Sequence, residues 1–88
     1  MSNTAKIQVL YFARLREALH LGSEDLELPA ADTTVADLTR LLAQRGEPWK
    51  STLHDTRVIT AVNQEVAIPE TPIKDGDEVA FFPPVTGG

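Results

Sequence analysis

Eighty-eight residues set the scale of one domain with a modest core, and the 42% hydrophobic and 24% charged shares are those of a globular chain. No apolar run approaches the ~20 residues that cross a bilayer, and Met1-Ser2-Asn3-Thr4-Ala5-Lys6 lacks the basic and apolar regions of a secretion signal, so a cytoplasmic protein without membrane contact is expected. The absence of cysteine excludes disulfides and thiol chemistry, His20 and His54 are too far apart for a metal pair, and a net charge of -5 argues against nucleic acid.

Lys6 to Phe12 reads as an interior strand, with Ile7, Val9 and Tyr11 on one face and Leu10 and Phe12 on the other. Ala13 to Leu19 follows as a short helix, Leu15 and Leu19 one turn apart, with Gly22 as its stop. Glu24 to Leu28 reads as a strand with one wet face, ended by Pro29.

Thr34 to Arg45 carries the clearest helical pattern. Thr34 and Asp37 fit a loose capping box, and Val35, Leu38, Leu41 and Leu42 make one apolar stripe. Asp37 and Arg45 suit the two ends of the dipole, and Gly46 is placed to end the helix. Glu47 to Arg57 reads as a loop with a turn of helix, in which Trp49 and Leu53 cover the edge of the core.

Val58 to Val62 is a β-branched strand. Asn63-Gln64-Glu65 turns into a short strand at Val66 to Ile68, and Pro69 and Pro72 mark a loop. Lys74-Asp75-Gly76-Asp77 is a turn in which glycine can take positive φ. Glu78 to Phe82 is the last strand, Val79 and Phe81 on one face, Ala80 and Phe82 on the other. This order predicts an α+β β-grasp domain spanning residues 1–88, a mixed sheet with one main helix across it and residues 83–88 as an extended tail.

The tail Pro83-Pro84-Val85-Thr86-Gly87-Gly88 is where the chemistry points. Paired glycines make the thinnest backbone available, and Pro83 and Pro84 stiffen the exit from the strand and offer no N–H to the sheet. Extended, the segment reaches ~20 Å, far enough to enter a narrow site on another protein. The Gly88 carboxylate resists nucleophiles until a partner converts it to an acyl-adenylate; sulfide or a persulfide can then displace AMP and leave a thiocarboxylate. Such a sulfur donor needs no cysteine. A Phe at the root of the tail that faces away from the core is a natural interface anchor.

The end of the chain, from Asp75 to Gly88, resembles the small sulfur-carrying subunit of molybdopterin synthase, the MoaD family. Val9-Leu10-Tyr11-Phe12-Ala13-Arg14-Leu15-Arg16-Glu17 is similar to the family's first strand and turn, and Ala61-Val62-Asn63-Gln64 to its middle strand. The resemblance implies a ubiquitin-like β-grasp fold. It implies that Gly88, preceded by Gly87, is adenylated by an E1-like adenylyltransferase using ATP and loaded with sulfur from a sulfurtransferase. It further implies that the chain docks on a large catalytic subunit, in a heterotetramer, and gives sulfur to cyclic pyranopterin monophosphate to build the molybdopterin dithiolene. The carrier is then non-catalytic alone and holds no permanent cofactor or metal. Phe12, Val66 and Phe82 match the family's interface positions, the tail residues Pro83, Pro84, Val85 and Thr86 join them, and Arg16 is a secondary candidate.

Blander readings stand beside these. Phe12 and Val66 can be ordinary strand packing, and Arg14 and Arg16 a solvated helix face. The acids Glu65, Glu70, Asp75, Asp77 and Glu78, set against Lys74, are either solvated surface or a face that steers the tail to basic partners. A thiamine-pathway sulfur carrier, a ubiquitin-like modifier joined to lysines through Gly88, and a plain interaction module are the alternative functions.

Overall fold

A computed structural model describes residues 5–29, 32–55 and 57–83. A five-stranded mixed sheet in the order β2-β1-β5-β3-β4 is its frame. The elements are β1 (Ala5–Tyr11), α1 (Ala13–Leu19), β2 (Ser23–Leu28), α2 (Val35–Ala43), α3 (Trp49–Leu53), β3 (Ile59–Val62), β4 (Glu65–Val66) and β5 (Glu78–Phe82). β1 and β5 run parallel through the middle of the sheet, and every other pairing is antiparallel. This is the expected β-grasp arrangement.

Strict alternation sorts β1. Ala5, Ile7, Val9 and Tyr11 are buried against the helices, while Lys6 and Gln8 face water on the other side. α2 forms because Thr34 and Asp37 close a reciprocal capping box: the Thr34 hydroxyl accepts from the Asp37 N–H at 3.2 Å, and the Asp37 carboxylate accepts from the Thr34 N–H at 3.1 Å. Its stripe of Val35, Leu38 and Leu42 meets the sheet, Leu38 and Leu42 fully buried, each worth ~1.5–3 kcal/mol of apolar transfer. Leu41 sits at the edge of that stripe, partly buried.

Several boundaries differ from the sequence reading. α1 closes at His20, which takes the left-handed conformation at φ 55, and not at Gly22. Gly22 lies under the exposed Arg16 side chain, and a Cβ there would stand 3.1 Å from Arg16 Nε, which a small shift of that side chain relieves. α2 ends at Ala43, so Arg45 lies past the cap, and Gly46 bends the chain onward at φ +90. β4 is only Glu65–Val66, because Asn63 and Gln64 (φ 51 and 71) make a tight two-residue turn without glycine. Ala13, at φ 51, turns the chain sharply out of β1.

The loop after β4 is fastened to the start of α2. Val35 N–H donates to Thr71 C=O at 2.9 Å, and Ile73 N–H to Thr33 C=O at 2.8 Å, which drops Ile73 fully into the core. Gly76 has the positive φ (+88) expected of its turn. Asp75 accepts from Lys6 N–H at 2.8 Å, and Asp77 from Lys74 N–H at 2.7 Å and from Asn63 Nδ2 at 2.9 Å. These two acids hold the turn to its neighbours. No helix among the described residues is long and apolar enough to cross a membrane.

Candidate functional site

Among the described residues the helices α1, α2 and α3 share one core with the inner side chains of the sheet, and no described helix covers the other side. Parallel pairing sets Tyr11 beside Phe81. The residues that follow them, Phe12 and Phe82, fall on the opposite face because strand side chains alternate. Tyr11 and Phe81 stack inside, with centroids 5.9 Å apart, and Phe12 and Phe82 stack outside at 4.7 Å with planes 3° from parallel.

Cross-strand register extends this outer face. Phe82 pairs with Ile59, Ala80 with both Leu10 and Ala61, and Ala61 with Val66. Phe12 is 39% exposed and Val66 80% exposed, so neither is core packing. The predicted interface residues Phe12, Val66 and Phe82 therefore share one apolar surface. Ile68, 62% exposed, was not among the sequence candidates and lines a different hollow, on the α2 side of the sheet with Val35 and Ala36. Pro83 is the last described residue of the exit and lies half-buried beside Arg14, Ala18 and Arg57. The candidates Pro84, Val85, Thr86, Gly87 and Gly88 lie outside the described residues. Arg16 is exposed and lies over Gly22, away from the Phe12–Phe82 stack.

The inner side is held by a polar clamp that sequence reasoning missed. Tyr11 Oη donates to Glu24 Oε2 at 2.8 Å, and Arg45 donates through both terminal nitrogens to the two Glu24 oxygens at 2.9 Å each. The Arg45 guanidinium also lies 4.4 Å from the centre of the Trp49 ring, and Trp49 meets Tyr11 edge-on at 5.4 Å. Arg45 holds the Glu24 carboxyl below its usual range, aided by the Tyr11 hydroxyl, and Glu24 in turn raises Arg45. Burial, with Glu24 beside it, pushes the Tyr11 phenol up. The clamp ties β2 to the end of α2 and to α3, and it backs the Tyr11–Phe81 stack from which the outer aromatics project. No pattern at fixed spacing announces it, since Glu24 and Arg45 are 21 positions apart.

The apolar sheet face thus ends at Phe82, where β5 gives way to Pro83. The profile of the ThiS family matches residues 9–88. The chain belongs to the ThiS family. Among curated members, the molybdopterin synthase sulfur carrier subunit of Escherichia coli is 44% identical over 82 residues, 93% of this chain and 99% of that protein. The solution structure of small archaeal modifier protein 1 from Methanosarcina acetivorans superposes with a TM-score of 0.77 at 26% identity, over 97% of this chain and 98% of that one. A chain from the protein–protein complex of subunits 1 and 2 of the molybdopterin-converting factor of Helicobacter pylori matches with a TM-score of 0.62 at 28% identity, over 94% of this chain and 99% of that one. The resemblance read from the tail, the first strand and the middle strand is thus borne out, and with it the ubiquitin-like β-grasp fold.

Proposed function

We propose that this chain is the sulfur carrier subunit of a molybdopterin synthase, with the Gly88 carboxylate as its reactive group. The observation that carries the reading is the near-full-length identity to the E. coli carrier. The continuous apolar face from Val66 to the Phe12–Phe82 stack, at the point where the tail begins, supports it.

In the first step an E1-like adenylyltransferase joins the Gly88 carboxylate to the α-phosphate of ATP and releases pyrophosphate. Hydrosulfide, or a persulfide from a sulfurtransferase with a reductant for the second sulfur, then attacks the acyl carbon. The C–O bond to AMP breaks, and AMP and a proton leave a thiocarboxylate. In the second stage the open face docks on the large catalytic subunit through Phe12, Val66 and Phe82. The tail Pro83–Gly88, ~20 Å long when extended, carries the sulfur to cyclic pyranopterin monophosphate. Gly87 and Gly88 keep that last stretch slim enough for a closed channel. The carrier holds no resident cofactor, ATP is consumed by its activator, the assembly is a heterotetramer, and its setting is the cytoplasm.

The test is the intact mass of the chain after incubation with ATP, an E1-like activator and a sulfur donor. A gain of about 16 Da, mapped to the Gly88 peptide, supports sulfur loading; an unchanged Gly88 peptide overturns it. The likeness to an archaeal modifier protein favours one second reading, conjugation of Gly88 to lysines of other proteins. That reading requires adducts that retain the whole chain on target proteins, and the same mass measurement separates the two.

A further inference from the structure

We propose that a hollow in the open face, floored by Ala61 and Ala80, is a socket for one large apolar side chain of the protein that receives the tail. The inference rests on the docking reading above and names what that reading leaves open, the chemistry of the contact.

One row of side chains crosses four strands on this face: Leu10, Ala80, Ala61, Val66. The two middle positions are small, and the outer two are large. The next row is large throughout, with Phe12, Phe82 and Ile59. The result is a depression of about 420 Å³ with an alanine floor and walls of Phe82, Leu10 and Val66. Alanine is disfavoured in strands because it leaves a pleated surface unfilled. Two of them in register at the middle of a sheet, 5% and 6% exposed, give a floor that its own side chains do not fill.

The direction of the chain identifies the occupant. Phe82 is both a wall of the hollow and the last residue of β5, and the tail begins at Pro83. The residues after Pro83 extend no more than ~16 Å, so a protein that takes Gly88 into a closed site stands within that reach of Phe82, a wall of the hollow. A second copy seated here would cover the root of the tail and block delivery. Gln64 and Glu78 at the rim supply an amide and a carboxylate. The fitting segment therefore carries a side chain of leucine, methionine or phenylalanine size, flanked by hydrogen-bond donors or a cation. A buried anchor in a central pocket concentrates binding energy, which makes Ala61 and Ala80, the floor that the anchor touches, determinants of partner choice.

The test fills the hollow from two strands. Ala61→Leu and Ala80→Leu are each titrated into the large subunit by calorimetry, with Phe82→Ala as a comparison. The leucine variants keep the melting temperature and lose at least ~30-fold in affinity. Independently, isotope-filtered NOEs in the wild-type complex connect the Ala61 and Ala80 methyls to an aliphatic or aromatic side chain of the partner, a readout that needs no variant to fold. Wild-type binding that Phe82→Ala weakens and the folded leucine variants leave unchanged overturns the socket and keeps the docking face. Alanine methyls with no partner NOE in a formed complex also overturn it. A wild-type chain that does not bind the large subunit removes both.

Discussion

Phe12 and Phe82 lie face to face on the open side of the sheet, centroids 4.7 Å apart, one position beyond the buried Tyr11–Phe81 stack. Two consecutive aromatic or near-aromatic positions on each of two parallel central strands build both pairs at once, one for the core and one for a partner. Phe12→Ala and Phe82→Ala each leave the chain folded, because the core lies on the other face. A double-mutant cycle of unfolding gives a coupling of ~0.5–1.5 kcal/mol between the rings. Phe82→Ala weakens docking on the large subunit by ~2 kcal/mol, read by calorimetry; an unchanged dissociation constant removes it from the interface.

Glu24→Gln tests the inner clamp. Its carboxyl is held below the ordinary value of 4.5, first by the Arg45 hydrogen bonds. A depressed folded-state value means the contribution is present above pH 4.5 and fades as pH falls below it. Arg45 is one-third exposed, so the cost at pH 7 is set low, at about 1–2 kcal/mol. The gap between variant and wild type in urea unfolding closes below pH 4.5. A gap that persists unchanged into acid shows that the charge is not the source.

Gln64 occupies a left-handed turn position at φ 71 with a side chain that gains nothing from it. Gln64→Gly removes that backbone cost and stabilises the domain by ~0.5–1 kcal/mol, measured as an increase in the urea midpoint at constant slope. A decrease shows that the glutamine side chain contributes more than the turn costs.

A single alanine added after Gly88 leaves the melting temperature unchanged and abolishes sulfur loading in the mass assay, because the added Cβ and the displaced carboxylate both fail in a channel cut for glycine. Full loading of the extended chain makes the glycine pair incidental.

The parts legible from the sequence were those where local chemistry and fold agree. Thr34 and Asp37 announced the start of α2, and alternation in β1 and β5 separated the two faces of each strand; that Phe12 and Phe82 stand side by side follows only from the parallel pairing of those strands. The parts that were not legible depend on contacts remote in sequence. Glu24 reads as one more acid on a wet strand until Arg45 arrives from the far end of α2. Ile73 reads as a lone apolar residue between a proline and a turn, yet backbone bonds to Thr33 carry it into the core. His20, Asn63 and Gln64 take left-handed backbone without being glycine, so the usual punctuation pointed to Gly22 and to a later β4. Ala61 and Ala80 looked unremarkable because a hollow is made by what a residue lacks.

The placement of β5 has a mechanical consequence. It is flanked by β1 on one side and β3 on the other, and its ladder bonds run across the strand axis. A protein that grips the tail and tugs along it loads those rungs in shear, all together, instead of unzipping them singly. The domain is thus fastened most firmly at the strand from which the tail departs, and tension from that end does not unravel it.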